Sequence, residues 1–138
     1  MTETTVRVNY SETDQMGVVY HARYLVWMDV ARCEHVRQAG VSYAELERRG
    51  FRLAVGELRI RYRQPARYDD LVRVRCWVRE AVSRRIIFGY ALEIPERNLL
   101  IATAETAMLV LGPDLSWGKL PAEVLGLLGP EPDPVRLF

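Results

Sequence analysis

The chain is poor in the residues that build metal and redox centres. Its 138 residues include two cysteines, Cys33 and Cys76, and two histidines, His21 and His35. Two cysteines make neither a disulfide framework nor a structural zinc site, and no histidine clusters with them. Both thiols are expected to be small, buried and reduced, and neither a metal nor a cofactor is expected. No run reaches the ~18 apolar residues that a membrane span needs, so no membrane insertion is expected. The opening MTETTVRVNY lacks the apolar core of a signal peptide, which makes cytoplasmic residence the default. The net charge of +1 gives no reason to expect a nucleic-acid partner. Lysine is nearly absent, with Lys119 alone beside eighteen arginines. A GC-rich genome or a thermostable source explains such a bias. The functional explanation is phosphate recognition, for which the planar guanidinium fork is well suited.

What is present suits one soluble domain over residues 1–138. It is 49% hydrophobic and 27% charged, enough for a sizeable core. Thr4–Asn9 alternates and reads as a short strand. A polar turn, Ser11–Gly17, leads to a helix over about Ala22–Ala39 with Gly40 as its stop. On a helical wheel Tyr24, Leu25, Met28, Ala31, Val36 and Ala39 share one face, while Trp27 and Val30 lie off it. His35 lies within the stripe beside Arg32 and reads as a hydrogen-bonded core residue with no catalytic role. Ser42 caps a short helix, Tyr43–Arg49, which ends at Gly50.

The period then changes to two. Leu58, Ile60 and Tyr62 alternate with arginines, as do Val72, Val74, Cys76 and Val78 with Arg73, Arg75, Trp77 and Arg79. Ile86–Ile94 and Leu99–Leu111 continue the strand pattern, with turns at Pro65–Asp70, Glu80–Ser83 and Pro95–Asn98. One long helix with one long antiparallel sheet predicts an α+β domain whose sheet curls around the helix. Beyond Gly129 the proline-rich PEPDPVRLF is expected to be an extended or poorly ordered tail.

The chemistry concentrates between Tyr10 and Leu25. Asp14 stands in a polar turn just ahead of the long helix. An acid there can attack an electrophile or activate water, and the free N–H groups of the helix start can hold the resulting oxyanion. The plain alternative for Asp14 is a turn aspartate. His21 offers two means of action: a backbone N–H that polarises a carbonyl, and an imidazole that orients substrate or moves a proton. Gly17 gives close backbone approach or a positive φ. Tyr10, Tyr20 and Tyr24 supply ring surface and hydroxyls for an acyl pocket, or else simply pack.

These residues resemble the hotdog-fold acyl-CoA thioesterases of the 4-hydroxybenzoyl-CoA thioesterase-like group, nearest its bacterial, Tol–Pal-associated short-acyl branch. The family motif corresponds here to Asp14, Gly17, Val18, Val19, Tyr20, His21 and Tyr24. RYRQPARYDDL, with Asp69 and Asp70 after a proline turn, and KLPAEV near the end are supporting stretches. The likeness covers about residues 4–125. It implies a hotdog fold and hydrolysis of an acyl-CoA thioester to free acid and CoA, with Asp14 as nucleophile or general base. It also implies that Val18 lies on the substrate side and that Ser83 with the basic Arg84 and Arg85 meets the phosphates of CoA. Two subunits would pair through their sheets with the site between them, giving a homodimer or homotetramer. Two other readings stay open on the same fold. A hydratase or dehydratase would act on enoyl thioesters, and a non-catalytic acyl-CoA binder would not need Asp14.

Overall fold

The computed structural model describes residues 1–138. Five strands form one antiparallel sheet in the order β1-β3-β4-β5-β2. They are β1 (Thr2–Arg7), β2 (Arg52–Tyr62), β3 (Leu71–Val82), β4 (Arg85–Ile94) and β5 (Leu99–Leu111). The long helix α1 (Arg23–Ala39) packs on the inner face, and α2 (Tyr43–Arg48) and α3 (Ala122–Leu127) are short. The chain passes from β1 through α1 and α2 to β2, at the opposite edge of the sheet. One sheet wrapped around a central helix is the hotdog architecture, as expected from the residue pattern and from the family resemblance.

Local chemistry explains the helix ends. Gly40 sits at φ 114°, where its N–H reaches Arg37 O, and Val41 N–H reaches Val36 O. Such a left-handed C-terminal residue is where glycine costs least. Ser42 Oγ accepts the Glu45 N–H at 3.1 Å and starts α2.

The buried face of α1 comprises Tyr24, Trp27, Met28, Ala31, Arg32, His35 and Val36. Trp27, off the expected stripe, is buried because loop residue Glu12 covers it and accepts its indole N–H at 2.8 Å. Val30 stays 45% exposed because nothing in the chain covers that side. His35 Nδ1 lies 3.0 Å from Thr2 Oγ1, and burial lowers its pKa. Facing α1, Val72, Val74, Cys76 and Val78 of β3 and Ile86, Phe88, Tyr90 and Leu92 of β4 form the sheet side of the core. Each such side chain contributes roughly 1.5–3 kcal/mol by burial.

Three boundaries differ from the sequence reading. β1 lies two residues earlier than Thr4–Asn9, because its ladder runs from Thr2↔Cys76 to Arg7↔Leu71. β3 continues through Val82, past the expected turn at Glu80, because a bulge between Val78 and Glu80 absorbs one residue. β2 starts at Arg52, well before the alternation at Leu58 becomes visible, with a bulge between Val55 and Glu57.

The tail runs along the outer face of the sheet. Glu131 N–H donates to Val78 O at 2.8 Å, and Asp133 accepts the Trp77 indole N–H at 2.9 Å. Leu137 is buried against Trp77 and Ala91 in a second, smaller apolar cluster, and its carbonyl accepts from Thr103 Oγ1.

Candidate active site

The segment from Glu12 to Tyr24 folds into a compact corner. Thr13 bridges to Val19, and Asp14 N–H donates to Val18 O at 2.9 Å. The turn closes through Gly17 N–H on Asp14 O, and Gly17 takes φ 77°. A side chain on Gly17 would be strained by that φ, yet it would meet nothing within 4 Å. The glycine therefore serves the turn and leaves open space before it. Asp14 Oδ1 accepts Met16 N–H at 2.9 Å, which fixes the carboxyl in the turn, while Oδ2 makes no hydrogen bond and no ion pair.

The helix start is aimed. Tyr20 O accepts Arg23 N–H at 2.9 Å, and His21 O accepts the Tyr62 hydroxyl at 2.7 Å. A trans peptide points its N–H opposite to its C=O. Holding those two carbonyls therefore directs the N–H groups of His21 and Ala22 the other way. Neither N–H has a hydrogen-bond partner in the chain. Tyr62 comes from the end of β2, and its ring packs edge-on to Tyr24 and His21. Burial raises the phenol pKa of both Tyr62 and Tyr24, so both hydroxyls stay neutral donors near pH 7. Tyr24 OH also accepts Ala66 N–H, tying the corner to the proline turn after β2.

Around this corner lies a cleft of about 260 Å³, lined by Val18, Val19, His21, Tyr24, Tyr62, Arg63, Gln64 and Pro65. It is the half-apolar cleft beside an acid, a histidine and free N–H groups. Larger clefts of about 380 Å³ lie on the outer face along the tail.

A profile of the Thioesterase-like superfamily matches residues 8–121. The acyl-CoA thioesterase YbgC of Haemophilus influenzae is 38% identical over 108 residues, 78% of this chain and 79% of its own. The putative acyl-CoA thioesterase YneP of Bacillus subtilis is 34% identical over 105 residues, 76% of each chain. The structure of the hypothetical protein TT1821 from Thermus thermophilus superposes with a TM-score of 0.87 at 34% identity, over 93% of this chain and 97% of its own. The chain belongs to the hotdog-fold acyl-CoA thioesterases.

Within one thioesterase chain, the residues singled out from sequence fall into three groups. Val18, His21 and Tyr24 line the cleft, and Asp14 and Gly17 form the turn next to it. Tyr20 is 47% exposed and packs at a tilt against His21, ring centres 4.5 Å apart, outside the lining. Tyr10 is 77% exposed and packs edge-on to Tyr68, also away from the cleft. Ser83, Arg84 and Arg85 occupy the β3–β4 turn, at the opposite end of the sheet from the corner. Eleven steps of about 3.3 Å separate the ends of β3, roughly 35 Å in all. These three residues therefore do not join Asp14 within a single chain.

Tyr62, Arg63, Gln64 and Pro65 also lie at the site, where local spacing assigns them no role. Their signal was the RYRQP stretch, where an inward-facing tyrosine ends a strand just before a proline turn. The cysteines take no part. Cys76 is fully buried, and burial raises its thiol pKa well above the ordinary range. Burial also raises that of Cys33.

Proposed function

We propose that the chain hydrolyses acyl-CoA thioesters through the Asp14 carboxylate and the backbone N–H of His21. The observation that carries this reading is the pair of unpartnered N–H groups at His21 and Ala22. The Tyr20 carbonyl on Arg23 N–H sets the direction of the first and the His21 carbonyl on the Tyr62 hydroxyl that of the second, and His21 lines the cleft next to Asp14. A thioester oxygen seated on those donors gains negative charge as its carbon is attacked, and preorganised N–H groups stabilise that charge. Asp14 either adds an oxygen to the carbonyl carbon, forming a mixed anhydride that water hydrolyses after the thiolate has left, or takes a proton from the water that attacks that carbon. The C–S bond then breaks and CoA leaves as a thiolate, which needs no strong acid. Val18 and Tyr24 flank the acyl group beside the Gly17 turn, and a cleft of about 260 Å³ suits a short or small aromatic one.

A second subunit completes the site in this reading. β2 has eleven residues and an unpaired edge, with Val55, Leu58 and Tyr62 40–51% exposed along it. Antiparallel pairing of two such edges about their midpoints sets Tyr62 of one chain level with the region of Leu53 in its partner. From there, three strand spacings of about 4.8 Å lead to the partner's β4 start. Ser83, Arg84 and Arg85 would thereby come within roughly 14 Å of the cleft, within reach of one ligand. Tyr10 would likewise contribute only in the assembly. Cytoplasmic residence belongs to the same reading, with CoA esters as the substrate. No helix is long and apolar enough to cross a membrane.

The test is thiol release from a panel of acyl-CoAs by wild type and by Asp14→Asn. The expected result is turnover by the wild type and a loss of about 10²–10⁴-fold in a folded variant. Equal release by both proteins would remove Asp14 from the mechanism.

A further inference from the structure

Every polar group of Glu12 is engaged within the chain, and its partners come from three segments. Its N–H donates to Asn9 O at 3.0 Å, and its carbonyl accepts Tyr20 N–H at 2.9 Å. Its Oε1 accepts Asn9 N–H at 2.9 Å, and its Oε2 accepts the Trp27 indole N–H at 2.8 Å. A glutamate that only closed the short helical turn over Tyr10–Glu12 would need the Asn9 bond alone. The bond to Trp27 leaves that turn and reaches one turn into α1. Both donors to the carboxylate are uncharged N–H groups, and each takes one oxygen. A glutamine offers a single carboxamide oxygen, so its NH2 would face one of the two donors. The corner therefore calls for a carboxylate at this position, two residues before Asp14.

The corner is a small antiparallel hairpin. Asp14 N–H on Val18 O, the Thr13–Val19 bridge and Tyr20 N–H on Glu12 O join its two legs. One leg carries the Asp14 carboxylate. The other runs through Tyr20 into His21 and Ala22, whose N–H groups have no partner. The Glu12 carbonyl fixes the separation of the legs at their base. Its carboxylate fixes the direction in which α1 leaves the second leg. Trp27 is 3% exposed and packs against Tyr24, ring centres 5.1 Å apart, so the core holds its end of the bond. We propose that Glu12 is a positioning residue for the reaction: through Trp27 it holds the Asp14 carboxylate in place against the His21 and Ala22 donors. This rests on the thioesterase reading above. Glu12 does not serve as a second base, because both of its carboxylate oxygens are already occupied. A misplacement of about 1 Å can lower a rate about 10²-fold. Hydrogen bonds to a carboxylate are charge-assisted and strong enough to set such a position.

Thiol release from an acyl-CoA is measured for wild type, Glu12→Ala, Trp27→Phe and the double variant, each well below its melting temperature. Glu12→Ala keeps the carbonyl that Tyr20 uses, and Trp27→Phe keeps a buried ring while removing the indole donor. Each single variant is expected to lower kcat about tenfold or more, with KM within about twofold of wild type. The double variant should lose little more than the worse single, because both changes break one bond. Unchanged kcat in the folded single variants overturns the proposal, as does a loss confined to KM or to the melting temperature. So does a double variant whose loss is the product of the two singles. Should Glu12→Ala not fold, kcat of Trp27→Phe decides alone. Hydrogen exchange of the Tyr20 amide and the Trp27 indole N–H gives a second readout. Both should exchange about tenfold faster or more in Glu12→Ala than in wild type. A wild type that releases no thiol while that difference persists overturns the thioesterase reading and leaves Glu12 as the tie between the hairpin and α1.

Discussion

His21 separates what a backbone does from what a side chain does. Its carbonyl is held by Tyr62, its N–H is unpartnered, and its imidazole packs at a tilt against Tyr20 without a hydrogen bond. The backbone donor survives replacement of the ring. His21→Ala is therefore expected to keep thiol release within about tenfold of wild type, against the 10²–10⁴-fold typical of a lost general acid or base. Tyr62→Phe, which frees the His21 carbonyl and with it the Ala22 N–H of the same peptide, is the companion measurement and should lower kcat more than His21→Ala does. A loss of 10²-fold or more in His21→Ala alone would make the imidazole the working group. The corner from Asp14 to His21 was legible in the sequence because its spacing is local: an acid, a turn glycine and a helix start within eight residues. Tyr62 and Arg63 were not assigned, because they arrive from forty residues further along and only the fold brings them to His21.

At the scale of elements, legibility follows how each boundary is decided. The end of α1 at Gly40 is written in the residue itself, whereas the limits of β1 are decided by its partner β3. The prolines beyond Gly129 predict an extended or poorly ordered tail, and Trp77 and Ala91 on the outer face of β3 and β4 give that tail an apolar seat. Gly89, paired with Trp77 across the β3–β4 ladder, makes that seat possible. A Cβ on Gly89 would lie 2.5 Å from the Trp77 ring. Both residues are fully buried, so the indole cannot swing into solvent without lifting the tail. Gly89→Ala is expected to cost about 1–3 kcal/mol, the range for an overpacked core. Displacement of Trp77 should also break its bond to Asp133 and shift its fluorescence to the red. An unchanged melting temperature with unchanged emission would show that the sheet yields instead of the ring.

The whole molecule is incomplete along one edge and one helix side. β2 leaves eleven residues of backbone unpaired on its outer edge, and α1 exposes Val26 and Val30, one turn apart. A long, partly apolar edge left open invites a second chain. If two β2 edges pair about their midpoints, Glu57 faces its symmetry mate and Leu58 faces Gly56, so any charge placed at Leu58 is counted twice next to the central Glu57 pair. Leu58→Asp is therefore expected to add two carboxylates beside the opposed Glu57 pair, and crowding like charge across a ladder destabilises it. Leu58 is 40% exposed and outside the core cluster, so the single chain should still fold. Sedimentation of the variant should show dissociation at concentrations at least tenfold above those that dissociate the wild type, a shift of about 1.4 kcal/mol or more. Thiol release should fall in proportion to the remaining dimer, because Ser83, Arg84 and Arg85 reach the cleft only from a partner. A fully active monomer would detach those residues from the site.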